Sequence, residues 1–589
     1  MKGYRVRHSK RIFGVKSLLS MILRLGIFVV ANIIFSVSAL AQNSLKEVPR
    51  GWHLQELKED GVYGIGVEKA YQTLLKNKKP KQLVIVAVID SGVDTTHEDL
   101  KAVLWVNSKE IPGNGIDDDK NGYIDDVHGW NFLGNKDGRN VTKDSYEAAR
   151  VYYSYRKKYD GKLPDSTTLD PVQLAQLRMY LKAKNQIESQ AKESAMIVLI
   201  LKNIVEKLPT ADSILKKALA REIYTGDELL PFKPTSAEQS KSKNIMLGLF
   251  QQTQQMDVTN KQLISDITEY YSGEKSKVDM LDKEPEDYRG EVVGDNYEDV
   301  NDRYYGNNDV MATDASHGTH VAGIIGAVRN NGIGMNGVAD YVRIMPIRAV
   351  PDGDEHDKDI ANAIRYAVDN GAKVINMSFG KSFSPNKNWV DDAMQYAESK
   401  GVLLVHAAGN ESANLDNAEN YPNPIYQTTG KHTTNWITVG ASGPTTDDLV
   451  ASFSNYGKKE VDVFSPGVKI YSTLPTGNAY GNQQGTSMAS PVTAGLAALL
   501  LSYYPELTAV QVKDIIQKSV TPANDLKVMK PSKEGEEELV SFSDLSKYAG
   551  IINAEAAIKL AETYKAGAPQ PTPKKTALPK SSIKKTKKG

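Results

Sequence analysis

Leu83-Val-Ile-Val-Ala-Val-Ile89 is an unbroken run of β-branched and other apolar residues, without the alternation of a strand that keeps one face wet. Such a run reads as a strand covered on both sides, the habit of parallel sheets. The unit recurs: a helical stretch from Asp359 to Asn370 leads into Lys373-Val-Ile-Asn-Met377, and another from Trp389 to Ser399 leads into Val402-Leu-Leu-Val-His406. Helix alternating with buried strand predicts an α/β fold around a parallel sheet. Right-handed crossovers then gather the working loops at the carboxyl ends of the strands.

With 589 residues the chain is too long for one small core and fits a large domain with additions. Lys and Arg number 72, Asp and Glu 72, so no global field favours nucleic acid, and none is expected as a partner. Cysteine is absent, which excludes thiol catalysis, disulfides and Cys-based metal sites. Lys2, Arg5, Arg7, Lys10, Arg11, Lys16 and Arg24 precede the apolar run Leu25 to Leu40, which ends in Ala39-Leu40-Ala41. That is the layout of a signal peptide over residues 1–41, and it implies export to a periplasmic or secreted location. Left uncleaved, the same run approaches spanning length and would be the chain's one contact with a membrane. Between about Asn140 and Asp299 the texture turns rich in Lys, Gln, Glu and Leu at helical spacing, as in Pro171 to Lys192 and Ser194 to Lys207. Residues 141–299 are therefore read as a mainly helical insertion between the two parts of the main domain, 42–140 and 300–566. The Pro- and Lys-rich residues 567–589 lack the apolar side chains to offset ordering entropy and are expected to be a disordered tail.

Four segments carry reactive side chains. Asp90-Ser91-Gly92 ends the strand Leu83 to Ile89; a carboxylate held there can fix one tautomer of an imidazole, or simply cap the next turn. His317-Gly-Thr-His320-Val-Ala-Gly323 opens a segment whose Val321, Ile324, Ile325 and Val328 fit one helix face. A zincin would need His residues four apart with a Glu between, whereas His317 and His320 are three apart, so His320 reads as structural. Gly485-Thr-Ser487-Met-Ala-Ser-Pro491 precedes the apolar run Val492 to Leu501; a Ser at a helix start gains from amides and the positive dipole end, or is an ordinary cap. Ala407-Ala408-Gly409-Asn410 follows the strand Val402 to Val405, where an Asn can donate to an oxyanion or merely form a turn.

In the order Asp, His, Asn, Ser, these segments closely resemble the subtilase family. The resemblance covers about Gly51 to Asn140 and Asp299 to Ala566. It implies a subtilisin-like three-layer α/β fold and a serine endopeptidase acting on proteins or peptides. Asp90 would be the orienter, His317 the general base and acid, Ser487 the nucleophile and Asn410 an oxyanion donor. Ser378-Phe379-Gly380 looks like the family's substrate-pairing strand, and Gly409 is taken as a further substrate-binding position. The chain departs from the family in the 227 positions that separate Asp90 from His317, most of which the insertion fills. A second departure is that too few residues lie between Ala41 and Leu83 for the usual inhibitory pro-domain. The competing reading is a binding protein on the same fold, since fold does not fix function.

From Asn114 to Asp126 oxygen-bearing residues alternate around turn glycines, with Asp117, Asp119, Asn121, Tyr123 and Asp125 as candidate ligands. Oxygen-only ligation points to calcium, with a solvated acidic turn as the alternative. An EF-hand is excluded, because His128 stands where the bidentate Glu belongs. Asp99 and Asn331 match positions that supply calcium ligands in many subtilisins, an implication of the resemblance alone.

Overall fold

The structure is a computed structural model that describes residues 48–564, except 162, 254, 313–314, 534 and 536–537. The expected leader, 1–41, and tail, 567–589, lie outside the described residues. The sheet strands, in chain order, are β1 (Val84–Asp90), β2 (Trp130–Asn131), β3 (Val342–Arg348), β4 (Val374–Met377), β5 (Leu403–Ala407), β6 (Trp436–Ser442) and β7 (Val463–Pro466). They are followed by the hairpin β8 (Ile470–Leu474) and β9 (Ala479–Gln483), β10 (Thr521–Pro522), the hairpin β11 (Lys527–Met529) and β12 (Leu539–Ser541), and β13 (Gly550–Ile551). Nine of them form one sheet in the order β10-β13-β7-β6-β5-β4-β1-β3-β2. Every pairing is parallel except β10 with β13.

β1 is buried at six of its seven positions and β5 and β6 at all of theirs, as the unbroken apolar runs require. One face is covered by the crossover helices Asp357–Asp369 and Lys387–Ser399, whose Ile360, Ile364, Val390 and Met394 pack on Ile89, Ile375, Met377 and Leu404. The helices Ser316–Gly326 and Thr486–Tyr503 pack against each other and the sheet, with all but one of the latter's residues buried. The result is the three-layer α/β arrangement expected, with the sites of interest at the carboxyl edge of the central strands.

Between β2 and the helix Ser316–Gly326 the chain leaves the sheet as an arm of helices: Glu147–Tyr159, Pro171–Val205, Leu208–Leu219, Ala237–Gln252 and Asn260–Asp279. The two helical stretches read around Pro171 to Lys207 run together as one 35-residue helix. No Gly or Pro interrupts it after Pro171, and Asp170 and Gln173 cap it reciprocally. The arm has two cores, a proximal one around Tyr152, Tyr180, Ile187 and Met280 and a distal one around Leu215, Tyr224, Phe250 and Leu263. Its return is pinned by Arg289, which pairs with Asp295 and Asp359 at 2.7 Å each. Among the described residues no helix is long and apolar enough to cross a membrane.

His53, His320 and His406 are among the buried histidines. Burial pushes His53 and His320 down to about 3 and His406 to about 4. Below pH 6.5 the unfolded chain binds protons that the folded one refuses, so stability is complete above pH 6.5 and falls as pH drops toward 3–4. The loss is up to about 1.4 kcal/mol per pH unit for each histidine. Both ring nitrogens of His53 are buried without a hydrogen-bond partner among the described residues, so an apolar residue can replace it at little cost. His53→Leu is therefore expected to leave stability at pH 7.5 nearly unchanged and to exceed the native protein by about 2 kcal/mol at pH 5. Denaturant unfolding at the two pH values checks this; an equal loss in both proteins would contradict it.

Candidate active site

Asp90 is the last residue of β1, and β1 neighbours β4, which neighbours β5. The register aligns Ile89 with Met377 and Met377 with His406, so Asp90, Ser378 and Ala407 leave the sheet at one level. The carboxylate of Asp90 is 2% exposed; its Oδ1 accepts from the Ser91 amide at 2.8 Å and lies 2.7 Å from His317 Nδ1. His317, with its side chain 38% exposed, sits in the first turn of the helix Ser316–Gly326. Gly318 makes that approach possible: a β-carbon there would fall 2.1 Å from the Gly92 carbonyl and 3.1 Å from the Asp90 β-carbon. The helix is then locked on both sides, by the Asp94 amide donating to Thr319 Oγ1 and by the Ser472 and Thr473 hydroxyls donating to the carbonyls of His320 and Thr319. His320 itself is buried, its Nε2 on the Gly481 carbonyl at 3.1 Å, in keeping with a structural role.

Ser487 is the second residue of the helix Thr486–Tyr503, where free amides and the dipole favour negative charge. Its Oγ donates to the Ser378 carbonyl at 3.2 Å. A second link runs the other way: Pro491 has no N–H to return to the Ser487 carbonyl, and the Ser378 hydroxyl donates to that carbonyl at 2.9 Å. Asn376 Nδ2 donates to Ser378 Oγ while Ser490 Oγ donates to Asn376 Oδ1, so β4 and the helix are stitched by a chain of buried hydrogen bonds. Asn410 is fixed by Thr486, whose amide and hydroxyl both donate to Asn410 Oδ1, at 2.9 and 3.0 Å. The same hydroxyl accepts from the Gly409 amide at 3.0 Å. With Oδ1 occupied, two donors remain beside Ser487: the point where a β-carbon on Gly485 would sit lies 3.4 Å from Asn410 Nδ2 and 3.6 Å from the Ser487 amide. Gly485 has φ 153° and ψ 165°, a conformation open only to glycine, and its missing side chain leaves this concave corner empty.

Ser378-Phe379-Gly380 and Ala407-Ala408-Gly409 leave neighbouring strands and face one another across Asn420. A β-carbon on Gly380 would lie 2.7 Å from Asn420 Oδ1, and one on Gly409 would lie 3.4 Å from Asn420 Nδ2. Asn420 Nδ2 also donates to the Ala408 carbonyl at 3.0 Å. Phe379 is half-buried, its ring edge-on to His406 with centroids 6.3 Å apart.

A profile of the Subtilase family matches residues 81–536. The chain belongs to the Subtilase family. This subtilase is 46% identical over 188 residues to the thermophilic serine proteinase of Bacillus sp. (strain AK1), a match that covers 32% of this chain and 43% of that protein. It is 41% identical over 211 residues to subtilisin NAT of Bacillus subtilis subsp. natto, covering 35% and 51%. It is 38% identical over 217 residues to thermitase of Thermoactinomyces vulgaris, covering 36% and 72%. The chain thus spans 43% and 51% of the length of the first two relatives.

Of the calcium-ligand candidates, the subtilase brings Asp117 and Asp119 together with Glu110, their carboxylate oxygens within 4.8 Å of one another. Glu110 lies before the acidic loop and is buried, accepting from the Asp119 and Asp125 amides. Asp125 does not join them: its carboxylate accepts the amides of Gly113, Asn114 and Gly115 and serves as a turn clamp. Asn121 Oδ1 accepts the Tyr123 amide and its Nδ2 donates to Asp126, while the Tyr123 ring packs edge-on to Trp130 and Tyr366. Three carboxylates so close repel one another, and among the described residues the one cation paired with them is Lys109, 75% exposed and 3.8 Å from Asp119. Hard oxygen donors in that excess fit calcium. At the second position Asn331 Nδ2 donates to the fully buried Asp99, whose other oxygen accepts the Met335 amide and the Tyr480 hydroxyl. Asp99 and Asn331 are therefore adjacent, with three donors on the one carboxylate.

The roles of Thr486, Asn376 and Asn420 in the site are not legible from their place in the sequence. Each acts through partners on other strands, and no local spacing marks such contacts. Pro491 was the visible signal for the Ser378 link: a proline early in a helix frees the carbonyl four residues before it.

Proposed function

We propose that this subtilase is an exported serine endopeptidase that hydrolyses peptide bonds of proteins and peptides through an acyl-enzyme on Ser487. The observation that carries the reading is the 2.7 Å bond between His317 Nδ1 and a carboxylate, Asp90, that is almost wholly buried. Asp90 holds the imidazole in one tautomer and stabilises its cation. His317 Nε2 then takes the proton of Ser487 Oγ as that oxygen attacks the scissile carbonyl carbon. The carbonyl oxygen, now negative, moves into the corner between Asn410 Nδ2 and the Ser487 amide, whose fixed dipoles need no rearrangement. His317 returns the proton to the departing amine, and water repeats the sequence in reverse. The substrate lies extended against Ser378-Phe379-Gly380, adding a strand whose main-chain bonds supply affinity with little demand on sequence. Balanced charge supports protein rather than nucleic acid as the partner. The basic-then-apolar residues 1–41 support export to the periplasm or beyond.

The test is hydrolysis of a short fluorogenic peptide together with mass analysis of the products. Cleavage at one bond with transient mass gain on Ser487 is expected; no hydrolysis by the folded protein would overturn the reading. Asn410→Ala should lower kcat by about 10²–10³-fold with KM little changed, a magnitude taken from subtilisin itself. Steady-state kinetics on the same peptide check it.

Calcium is proposed as a structural ion, with Glu110, Asp117 and Asp119 as one set of holders and Asp99 with Asn331 at the other position. Its binding would relieve the crowding of carboxylates and tie the loop before β2. With free calcium roughly 100-fold above Kd, chelation should remove about 2.7 kcal/mol of stability. Thermal unfolding with and without chelator measures this, and Asp119→Asn should shrink the difference.

A further inference from the structure

Two of the contacts between the helical arm and the main domain adjoin the segments around Ser487, one at the arm's base and one at its outer end. Its base is fixed beside the substrate-pairing strand. Lys381 follows Gly380 directly and is buried, with its Nζ 2.8 Å from Glu147 on the arm's first helix and 2.8 Å from Asp357. Arg150 holds Glu147 at 2.8 Å and donates to the Asp354 carbonyl at 3.0 Å, while the Glu147 amide donates to Asp354. Further along the wall, Phe383 is buried in the arm's proximal core with Tyr180 and Ile187. Lys182 donates to the Ser382 carbonyl at 3.0 Å and pairs with Glu419, next to Asn420. A base built from buried ion pairs and an aromatic anchor does not slide, because separating such pairs strands charges in the interior.

From that base the 35-residue helix Pro171–Val205, about 50 Å long, carries the distal core away, and Asn260–Asp279 returns beside it. In the turn just before this return helix, Asp257 accepts a hydrogen bond from Asn482 Nδ2 at 2.8 Å. Asn482 belongs to β9, the strand that feeds directly into Gly485 and Ser487. The β8–β9 hairpin is the flank that holds the His317 helix through Ser472, Thr473 and Gly481. One end of the arm therefore stands on the wall that continues Ser378–Gly380, and the other rests on the hairpin that holds the His317 helix and feeds into Ser487. Among the described residues the outer contact is one exposed side-chain bond, in contrast to the buried base.

Resting on the peptidase reading above, we infer that the arm bridges the cleft and turns it into a covered passage, so that the substrates are extended, unfolded polypeptides rather than loops of folded proteins. An extended chain is thin enough to lie between the arm and the strand Ser378–Gly380. A loop carried on a globular body requires the arm to lift from Asn482, so its cleavage scales with the fraction of molecules whose arm is open.

The absence of cysteine makes a clean test available. In the full-length protein, D257C and N482C together place two thiols across the outer contact, to be joined by a short bis-maleimide. The substrates are a short fluorogenic peptide and one small disulfide-bonded protein, offered either native or reduced and alkylated. Joining should leave cleavage of the peptide and the reduced protein within about twofold while lowering the native-to-reduced rate ratio by about tenfold or more. Asp257→Ala should raise that ratio above that of the unaltered protein. The inference is overturned if the thiols do not join, or if the ratio is the same in the joined, unaltered and Asp257→Ala proteins. Loss of peptide cleavage in the unaltered protein would instead overturn the peptidase reading.

Discussion

Ser487→Ala is expected to lower kcat for peptide hydrolysis by about 10⁶-fold, the loss known for subtilisin when its nucleophile is removed, with folding unimpaired. The size follows from the way the site is shared. Once Ser487 cannot form the acyl bond, His317 and Asp90 have no proton to manage, and only the corner formed by Asn410 and the Ser487 amide still favours the transition state. Stability should be retained because the Ser487 contacts that tie the helix to β4 are made by its carbonyl, which accepts from Ser378 Oγ, as well as by its hydroxyl. Active-site titration and thermal unfolding on the same preparation check both halves. Residual activity within a hundredfold of the native protein would place the nucleophile elsewhere.

Asp90→Asn should lower kcat by about 10⁴-fold, the drop known for the equivalent change in a serine protease of another fold. The cause here is specific. Asp90 Oδ1 already accepts the Ser91 amide at 2.8 Å and faces His317 Nδ1 at 2.7 Å. An Asn amide turned to keep the Ser91 bond presents its oxygen without the charge that stabilises the imidazolium. Turned the other way, it offers N–H to Nδ1, forces the proton onto Nε2 and leaves His317 unable to act as a base. KM should change little, because the substrate strand Ser378–Gly380 is not touched. Steady-state kinetics on a short peptide separate the two constants; a change confined to KM would mean that Asp90 acts through structure rather than through His317.

The α/β class is legible in the sequence because a strand buried on both faces leaves a continuous apolar run, as in Val84 to Ile89, and because crossover helices separate such runs. The four segments around Asp90, His317, Asn410 and Ser487 are legible for a related reason: each sits where backbone geometry demands small neighbours, and Gly318 and Gly485 show that demand in distances. What stays hidden is whatever depends on contacts across the chain. Thr486 steers Asn410 from 76 positions away, and Lys381 meets Glu147 across 234; neither pairing leaves a periodic trace. The acidic loop illustrates the limit in the other direction. Alternating oxygen residues suggest that Asp117, Asp119 and Asp125 share one role, whereas the fold gives Asp125 to the turn and recruits Glu110 from outside the pattern. The arm's texture reads as helical, but that its outer end meets Asn482 follows only from how two separate cores stack along one long helix.

The central claim is that Ser487 is a nucleophile activated by His317. The most direct measurement is labelling of the native protein, Ser487→Ala and His317→Ala with a fluorophosphonate, followed by mass analysis of the modified peptide. The account predicts stoichiometric modification at Ser487 in the native protein, none in Ser487→Ala, and labelling slowed by orders of magnitude in His317→Ala. Modification of another residue, or labelling of Ser487 that proceeds equally well without His317, would contradict it.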